Sequence, residues 1–403
     1  MRILFLHNNF PAQFGGLGQC LAREGWDVRF VTQREGVSIP GINVVTYKPH
    51  RDVEAKTHPY SVNFERAVLN GQAVARIAGE LKAKGFSPDV VVAHSGWGPG
   101  LFVKDIWPQT KLVGYFEWFY RADAPDVEFL DDESRSMDNQ LRARARNAAI
   151  LMDLAHSDLG ICPTEFQKEQ FPDIFHSKLH VIHDGIDTEY YCPRPGSRLK
   201  LPDLDLTHVD ELITYVARGM EPYRGFPEFM RALEIVLKER PNAHAVIVGE
   251  DRVAYGKKLR DGESYKQKAL AECDLDLDRV HFTGLLPRSQ YLQVLQTSSV
   301  HVYLTIPFVL SWSVLEALST GCNVVASNVA PVQEINQKVS GAMALVDPKD
   351  TAAIANGISE ALEKNAETSG FNSAGRKMIE REFSAASIYD KKMRILEALI
   401  ISG

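Results

Sequence analysis

Short apolar runs alternate along this chain with longer segments whose apolar positions recur every three or four residues. "RILFLHN" (2–8) and "PDVVVAH" (88–94) are runs of Leu, Ile, Val and Phe that end in polar residues. Continuous runs of this kind predict strands buried on both faces, as in a parallel sheet. Between them, "GGLGQCLAREG" (15–25) predicts a helix opened by glycines, "DVRFVT" (27–32) a second strand, and "SVNFERAVLNGQAVARIAGELKAKG" (61–85) a long amphipathic helix. A Gly-rich turn, "SGWGPG" (95–100), a helix and the strand "KLVGYFE" (111–117) follow. "SMDNQLRARARNAAILMDLAHS" (136–157) predicts one long helix, and "LGICPT" (159–164) and "KLHVIHDGI" (178–186) predict two further strands. Strands alternating with helices specify a parallel α/β sheet.

The rhythm breaks at "DTEYYCPRPGSRLKLPDLDLTHVD" (187–210), which is rich in Pro and Asp, lacks any period and predicts a domain linker. It restarts with "LITYVARG" (212–219), the helix "FPEFMRALEIVLKERP" (226–241), "AHAVIVGE" (243–250) and a helix around 263–273. "VHFTG" (280–284), "PRSQYLQVLQTS" (287–298), "VHVYLT" (300–305), a helix within "LSWSVLEALSTG" (310–321) and "NVVASN" (323–328) continue it. The tail "RKMIEREFSAASIYDKKMRILEALI" (376–400) is helical and is expected to pack back on the first domain. The expectation is therefore two doubly wound, Rossmann-like α/β domains, residues 1–190 completed by a helix 384–403, and residues 205–383. In such folds ligands bind at the carboxyl ends of the strands, so an interdomain cleft faced by two such edges is expected to hold the site.

Composition narrows the function. A chain of 403 residues suits two domains at roughly 100–200 residues each. Its net charge of −7 gives no general basic field for nucleic acid or anionic lipid. Arg142, Arg144 and Arg146 scatter around their helix and read as a solvated face, so membrane contact is expected to be at most peripheral. The five cysteines are widely spaced and form no CxxC, which argues against a disulfide framework or zinc site and for a reducing compartment. The first apolar run, Ile3 to Leu6, is too short for a signal peptide or membrane span, so a cytoplasmic protein is expected.

Several motifs carry candidate chemistry, each beside a plainer reading. In "FGGLGQ" (14–19), Gly15 and Gly16 let backbone N–H groups approach a phosphate at a helix N-terminus; alternatively they form a tight turn required by packing. Leu21 stands where a dinucleotide fingerprint needs glycine, and no acid ends the second strand, so NAD binding is not indicated. In "ARGMEPYRG" (217–225), Arg218 and Arg224 follow a buried strand and can grip a diphosphate, or are ordinary surface arginines. Ser313 and Glu316 fit a capping box, while the same carboxylate can accept from sugar hydroxyls. "DLDLD" (274–278) and "DLD" (203–205) have Asp-x-Asp spacing, but Asp also serves turns and caps in such polar connections, and no metal is expected. His94 and Glu117 each end an apolar strand, either as an acid–base pair or as structural residues. Tyr115, Trp118, Phe119 and Tyr120 are placed to stack on sugars or to fill the core.

Taken in order, these segments resemble the retaining family 4 glycosyltransferases of GT-B fold. The resemblance runs through the Gly-Gly loop, "PDVVVAH", "VIHDGID", "VARGMEPYRG", "VHFTGLLP" and "LSWSVLEALSTGCNVVASNVAPVQEI", nearly the whole chain. It implies transfer of a sugar from a nucleotide diphosphate sugar, UDP-sugars favoured, to a hydroxyl of a glycan, lipid-linked or small-molecule acceptor, with no obligate metal. Arg218 then matches the diphosphate-binding arginine, and Arg224 replaces the family's lysine after one extra residue. Glu316 matches the second Glu of the E-x7-E motif, the ribose ligand. Ser311 and Ser313 lie beside it on the donor side. Gly15 and Gly16 match the phosphate loop, and Gly284 and Leu285 the base-reading turn. Phe308 stands where the first motif Glu belongs, Glu117 where many relatives have a His, and His183-Asp184-Gly185 replaces the usual Asn-Gly. Domain closure near 190–205 is expected to assemble the site. A nucleotide-sugar epimerase or hydrolase of the same architecture, or a non-catalytic sugar-nucleotide-binding subunit, remains open at this point.

Overall fold

The computed structural model describes residues 1–130, 136–367 and 371–402. The chain divides into two compact units, Met1–Gly185 with Ala385–Gly403, and Ile186–Ser384.

In the first unit, β1 (Arg2–Leu6), β2 (Asp27–Thr32), β3 (Ile42–Thr46), β4 (Val90–His94), β5 (Lys111–Tyr115), β6 (Leu159–Cys162) and β7 (Leu179–Val181) form one sheet in the order β3-β2-β1-β4-β5-β6-β7. Every pairing is parallel, with Ile3 opposite both Val28 and Val90. The two faces explain the unbroken apolar run of β1. Ile3 and Phe5 enter one core with Leu21, Val28 and Phe30, while Leu4 and Leu6 enter the other with Val74, Val91 and Leu112. Successive side chains of a strand point to opposite faces, so a strand covered on both sides must be apolar throughout.

The second unit opens with a small antiparallel hairpin, β8 (Leu199–Leu201) and β9 (Leu204–Leu206). Its main sheet consists of β10 (Glu211–Gly219), β11 (Ala243–Glu250), β12 (Val280–Gly284), β13 (Val300–Tyr303), β14 (Val324–Ser327) and β15 (Met343–Val346), ordered β12-β11-β10-β13-β14-β15 and parallel throughout. Both sheets grow outward in two directions from a central strand. The order reverses between β1 and β4 in the first unit and between β10 and β13 in the second, the positions where doubly wound sheets bind ligands.

Two segments differ from their sequence-based expectation. The stretch 187–210, expected as a linker, lies within the second unit, where Leu199, Leu201 and Leu206 pack with Leu212, Val246 and Val248. Its alternate leucines outweigh its Pro and Asp content. The single helix expected over 136–157 is two, Met137–Arg146 and Ala148–His156. The break is at Asn147, whose amide donates to the Tyr120 carbonyl at 2.6 Å and accepts from the Tyr120 N–H at 2.9 Å. The tail forms two helices, Ser373–Glu382 in the second unit and Ala385–Ile401 in the first. This last helix brings Ile388 and Leu396 to the core and a buried Lys392 to Asp184 at 3.4 Å. Tyr115 donates to the other Asp184 oxygen at 2.8 Å, so the carboxylate that faces the buried ammonium is itself hydrogen-bonded, as burial of such a pair requires. Among the described residues, no helix is long and apolar enough to cross a membrane.

Candidate active site

In the second unit the loops after β10 and β13 flank the switch point. Two arginines that the sequence leaves equivalent separate here. Arg218 is exposed, and no described residue holds it by a hydrogen bond or ion pair. Arg224 is 5% exposed, and its Nη1 donates to Thr305 Oγ1 and to the Val309 carbonyl, each at 3.0 Å. Its guanidinium also lies 5.2 Å from the centre of the Tyr255 ring. The turn that delivers Arg224 needs Gly225, at φ +60°, because a Cβ there would stand 2.4 Å from Leu304 Cβ. Arg224 therefore ties the β10 loop to the β13 loop, while the donors of Arg218 are unengaged among the described residues.

Between them lies Glu221, which the sequence reading passed over. Its side chain is fully buried and accepts from three successive backbone N–H groups, those of Ala254 at 3.0 Å, Tyr255 at 3.0 and 3.1 Å, and Gly256 at 2.7 Å. Nothing in its sequence context marks it; an acid between two arginines reads as a surface charge. The turn it holds presents Tyr255, whose ring meets Phe308 at 5.4 Å, and Phe308 meets Tyr223 edge-on at 5.1 Å. Where the E-x7-E pattern has its first carboxylate, this chain thus builds an aromatic cluster beside a buried guanidinium.

A cavity of about 410 Å³ opens beside these loops, lined by Met220, Gly249, Glu250, Asp251, Arg252, Lys266, Phe282 and Gly284. Gly284 ends β12 at φ +67°, and Leu285 next to it is exposed. Glu316 lies on the helix Trp312–Ser319. The expected capping box does not form. Tyr303 accepts the Ser311 N–H at 2.8 Å, Ser311 becomes the cap, and its hydroxyl accepts from the Ser313 N–H at 3.4 Å. Glu316 consequently sits too far into the helix to reach back, and its Oε2 accepts from Tyr291 at 2.6 Å. Tyr191 also bonds it, and Arg288 stands by, its Nε 3.4 Å from the Tyr191 hydroxyl. Burial raises the Glu316 carboxyl above its usual range, against the two tyrosine hydroxyls and the Arg288 charge. Tyr191 comes from the segment expected as a linker, so its part in the site was hidden by that reading.

In the first unit, His7 follows β1, and His94 and Glu117 lie at and just beyond the carboxyl ends of β4 and β5. The structure brings them together. His94 Nε2 is 3.3 Å from Glu117 Oε2, Gln13 donates to Glu117 Oε1 at 2.7 Å, and the His7 and His94 rings meet at 4.6 Å. His7 Nδ1 accepts the Asn9 N–H at 2.8 Å. Burial first, and His94 second, lower the His7 pKa to about 3, so it is a neutral imidazole. Burial alone would raise Glu117, but His94 and the hydrogen bonds from His94 and Gln13 bring it below the usual carboxylate range. Glu117 is thus an oriented carboxylate with its side chain 30% exposed, suited to accept a hydrogen bond from a hydroxyl.

Gly15 and Gly16 begin the helix Gly15–Arg23, which has no side-chain cap. Packing accounts for both glycines. A Cβ at Gly15 would lie 2.4 Å from Pro11 Cβ, and one at Gly16 would lie 2.0 Å from the Tyr389 hydroxyl of the last helix. Of the aromatics considered for stacking, Tyr115, Trp118 and Phe119 are core, while Tyr120 lies under the Arg146 guanidinium at 3.8 Å. The Asp-x-Asp pairs are engaged locally: Asp205 with Lys200 at 2.9 Å and Asp276 with Arg279 at 2.7 Å. Among the described residues, no group of three or more His, Cys, Asp or Glu is placed to hold a metal ion.

Two family models match the chain, "Glycosyl transferase family 4 group" over residues 24–191 and "Glycosyl transferases group 1" over residues 210–364. No curated protein sequence matches it. Among solved structures, sucrose-phosphate synthase from Thermosynechococcus elongatus is 17% identical with a TM-score of 0.72, covering 100% of both chains. Anabaena HepE in complex with UDP and glucose is 17% identical with a TM-score of 0.68, over 99% of this chain and 100% of its own. A trehalose-6-phosphate structure from E. coli, bound with UDP-2-fluoro glucose, is 13% identical with a TM-score of 0.66, over 98% and 99%. These likenesses give the fold, and the two family models supply the chemistry that the fold alone leaves open. One glycosyltransferase model falls on each Rossmann-like unit, and on that ground the chain belongs to the family 4-type glycosyltransferases of GT-B fold and is an enzyme of that class.

Proposed function

We propose that the chain takes a UDP-sugar as donor and transfers its sugar, with retention at the anomeric carbon and without a metal, to a hydroxyl of a glycan, lipid-linked or small-molecule acceptor. The observation that carries this reading is the unengaged, exposed guanidinium of Arg218 at the carboxyl end of β10, beside the cavity that Met220 and Gly284 line. UDP gains negative charge on its diphosphate as the glycosidic bond breaks. A cation close to that position stabilises the developing charge. Anabaena HepE binds UDP and UDP-glucose, and the E. coli structure holds UDP-2-fluoro glucose, which supports the same nucleotide here. In this reading Gly284 and Leu285 meet the base, Glu316 the ribose, and Arg218 the diphosphate, with Arg224 fixing the loop that presents Arg218. The paired His94 and Glu117 orient the acceptor hydroxyl, and the proton passes to the departing phosphate.

Labelled UDP-glucose, UDP-galactose, UDP-N-acetylglucosamine and GDP-mannose, each with and without an acceptor mixture, test the reading. UDP release that accelerates with acceptor, and an α-linked product from an α-linked donor, are the expected results. An interconverted sugar nucleotide would establish an epimerase, binding without turnover a non-catalytic subunit, and a β-linked product an inverting enzyme.

A further inference from the structure

The turn Ser95–Gly100 follows β4 at the switch point of the first sheet and carries Trp97, whose side chain is exposed. The backbone on both sides of this tryptophan is fixed by buried groups. Asp153, itself buried, accepts from Ser95 Oγ at 2.8 Å and from the Gly96 N–H at 3.0 Å. Asn70, 2% exposed, donates to the Trp97 carbonyl at 2.9 Å and accepts from Gln33 Nε2 at 2.8 Å. Gly96 and Gly98 adopt φ +82° and +98°, and a Cβ on Gly98 would stand 1.9 Å from the Ala67 carbonyl oxygen. No L side chain fits there without moving the helix Val62–Ala83.

A turn held this firmly leaves a large apolar ring 49% in water, whereas tryptophan side chains are normally mostly covered. The indole lies 6.2 Å from the His94 ring, which contacts Glu117. Two amides, Asn70 and Gln33, bonded to each other, support the backbone beneath it. An exposed flat aromatic face suits a pyranose ring, whose C–H face is apolar and whose rim carries hydroxyls.

Resting on the transferase reading above, we infer that Trp97 is the stacking platform for a sugar ring of the acceptor, and that the acceptor is a carbohydrate. Tyr115, Trp118 and Phe119 are unavailable for this role because they are buried. The turn holds the ring beside the His94–Glu117 pair, so that one hydroxyl of the stacked sugar is presented to an oriented carboxylate.

The test uses the full chain with whichever UDP-sugar it consumes, and three acceptor classes: methyl glycosides and disaccharides, a long-chain alcohol, and a Ser-containing peptide. Carbohydrates alone are expected to accelerate donor consumption. Trp97→Ala is expected to raise the acceptor KM about tenfold, with Trp97→Phe recovering most of the loss and UDP affinity by calorimetry unchanged. Equal or better use of the alcohol or peptide, or an unchanged acceptor KM in Trp97→Ala, overturns the inference. Should the wild type consume no nucleotide sugar, the transfer reading fails on its own. Disaccharide binding by calorimetry in the presence of UDP then still decides the platform, and equal affinity in wild type and Trp97→Ala rejects it.

Discussion

Replacing Arg218 and Arg224 one at a time separates ligand binding from architecture. Arg218→Ala removes an exposed side chain with no partner among the described residues, so its stability is expected to stay within about 0.5 kcal/mol of wild type. Its turnover is expected to fall about 10²-fold, near 2.7 kcal/mol, the scale for removing one preorganised donor from a developing negative charge. Arg224→Ala behaves differently. It deletes two hydrogen bonds from a charged, buried donor, to Thr305 and to the Val309 carbonyl, each worth about 1.5–3 kcal/mol. Thr305 Oγ1 keeps a bond to the Tyr223 carbonyl at 3.2 Å, which offsets part of the loss. The net is about 3–4 kcal/mol of stability, together with whatever turnover depends on the loop. Urea unfolding and initial rates at saturating donor, measured on both variants, give four numbers. The reasoning is refuted if Arg218→Ala unfolds as early as Arg224→Ala, or if it keeps wild-type turnover.

Glu221→Ala strands three backbone N–H groups, one of them on the exposed Tyr255, so a loss of about 2–4 kcal/mol is expected. Glu221→Gln, keeping one acceptor oxygen, should fall between, and a urea midpoint for Glu221→Ala equal to wild type would sink the assignment. His301 is fully buried with Nδ1 2.9 Å from Thr214 Oγ1, and burial lowers its pKa to about 3. Below pH 6.5 the unfolded chain therefore binds the proton and the folded chain does not. Stability falls as pH falls, by about 2 kcal/mol per such histidine between pH 7 and pH 5. His301→Asn is expected to flatten the stability–pH curve by that amount, and an unchanged slope would show that His301 is not held neutral.

Much of this architecture is legible because burial on two faces leaves a mark in sequence. β1 and β4 are unbroken apolar runs since alternate residues enter different cores. The signal fades where a strand sits at an edge. β3 and β15 have one buried position each and mixed neighbours, and neither stands out from its surroundings. It misleads where one polar side chain overrides a period, as when Asn147 captures the Tyr120 backbone and divides a continuous helical pattern. At the candidate site, residue type and spacing pointed to Arg218, Arg224, His94, Glu117 and Glu316, since each ends or follows a recognisable strand. They could not distinguish an exposed arginine from a buried one, because that depends on Thr305 and Val309, some 80 residues away. Glu221 and Trp97 were passed over for the same reason. What marks Glu221 is a turn at 254–256, and what marks Trp97 is the clamp formed by Asn70 and Asp153.

Glu316 shows how a local motif is redirected by a contact between distant residues. Ser313 and Glu316 have the spacing of a capping box, and an isolated helix starting there would use it. The start is decided elsewhere. Tyr303, at the end of β13, accepts the Ser311 N–H and pins the chain two residues earlier, so Ser311 takes the cap. Two residues of shift rotate Glu316 about 200° around the helix axis relative to the position the box requires, at roughly 100° per residue. The carboxylate then turns inward to Tyr291 and Tyr191. The same loop begins at Phe308, packed between Tyr223 and Tyr255. Its first end is thus anchored by aromatic contact and its second by hydrogen bonds to a carboxylate. A carboxylate hydrogen-bonded by two phenols and raised by burial is held in one orientation, as the ribose ligand proposed above would have to be. The Ser313 N–H that a capping box would give to Glu316 instead donates to the Ser311 hydroxyl at 3.4 Å, leaving the carboxylate to the two tyrosines.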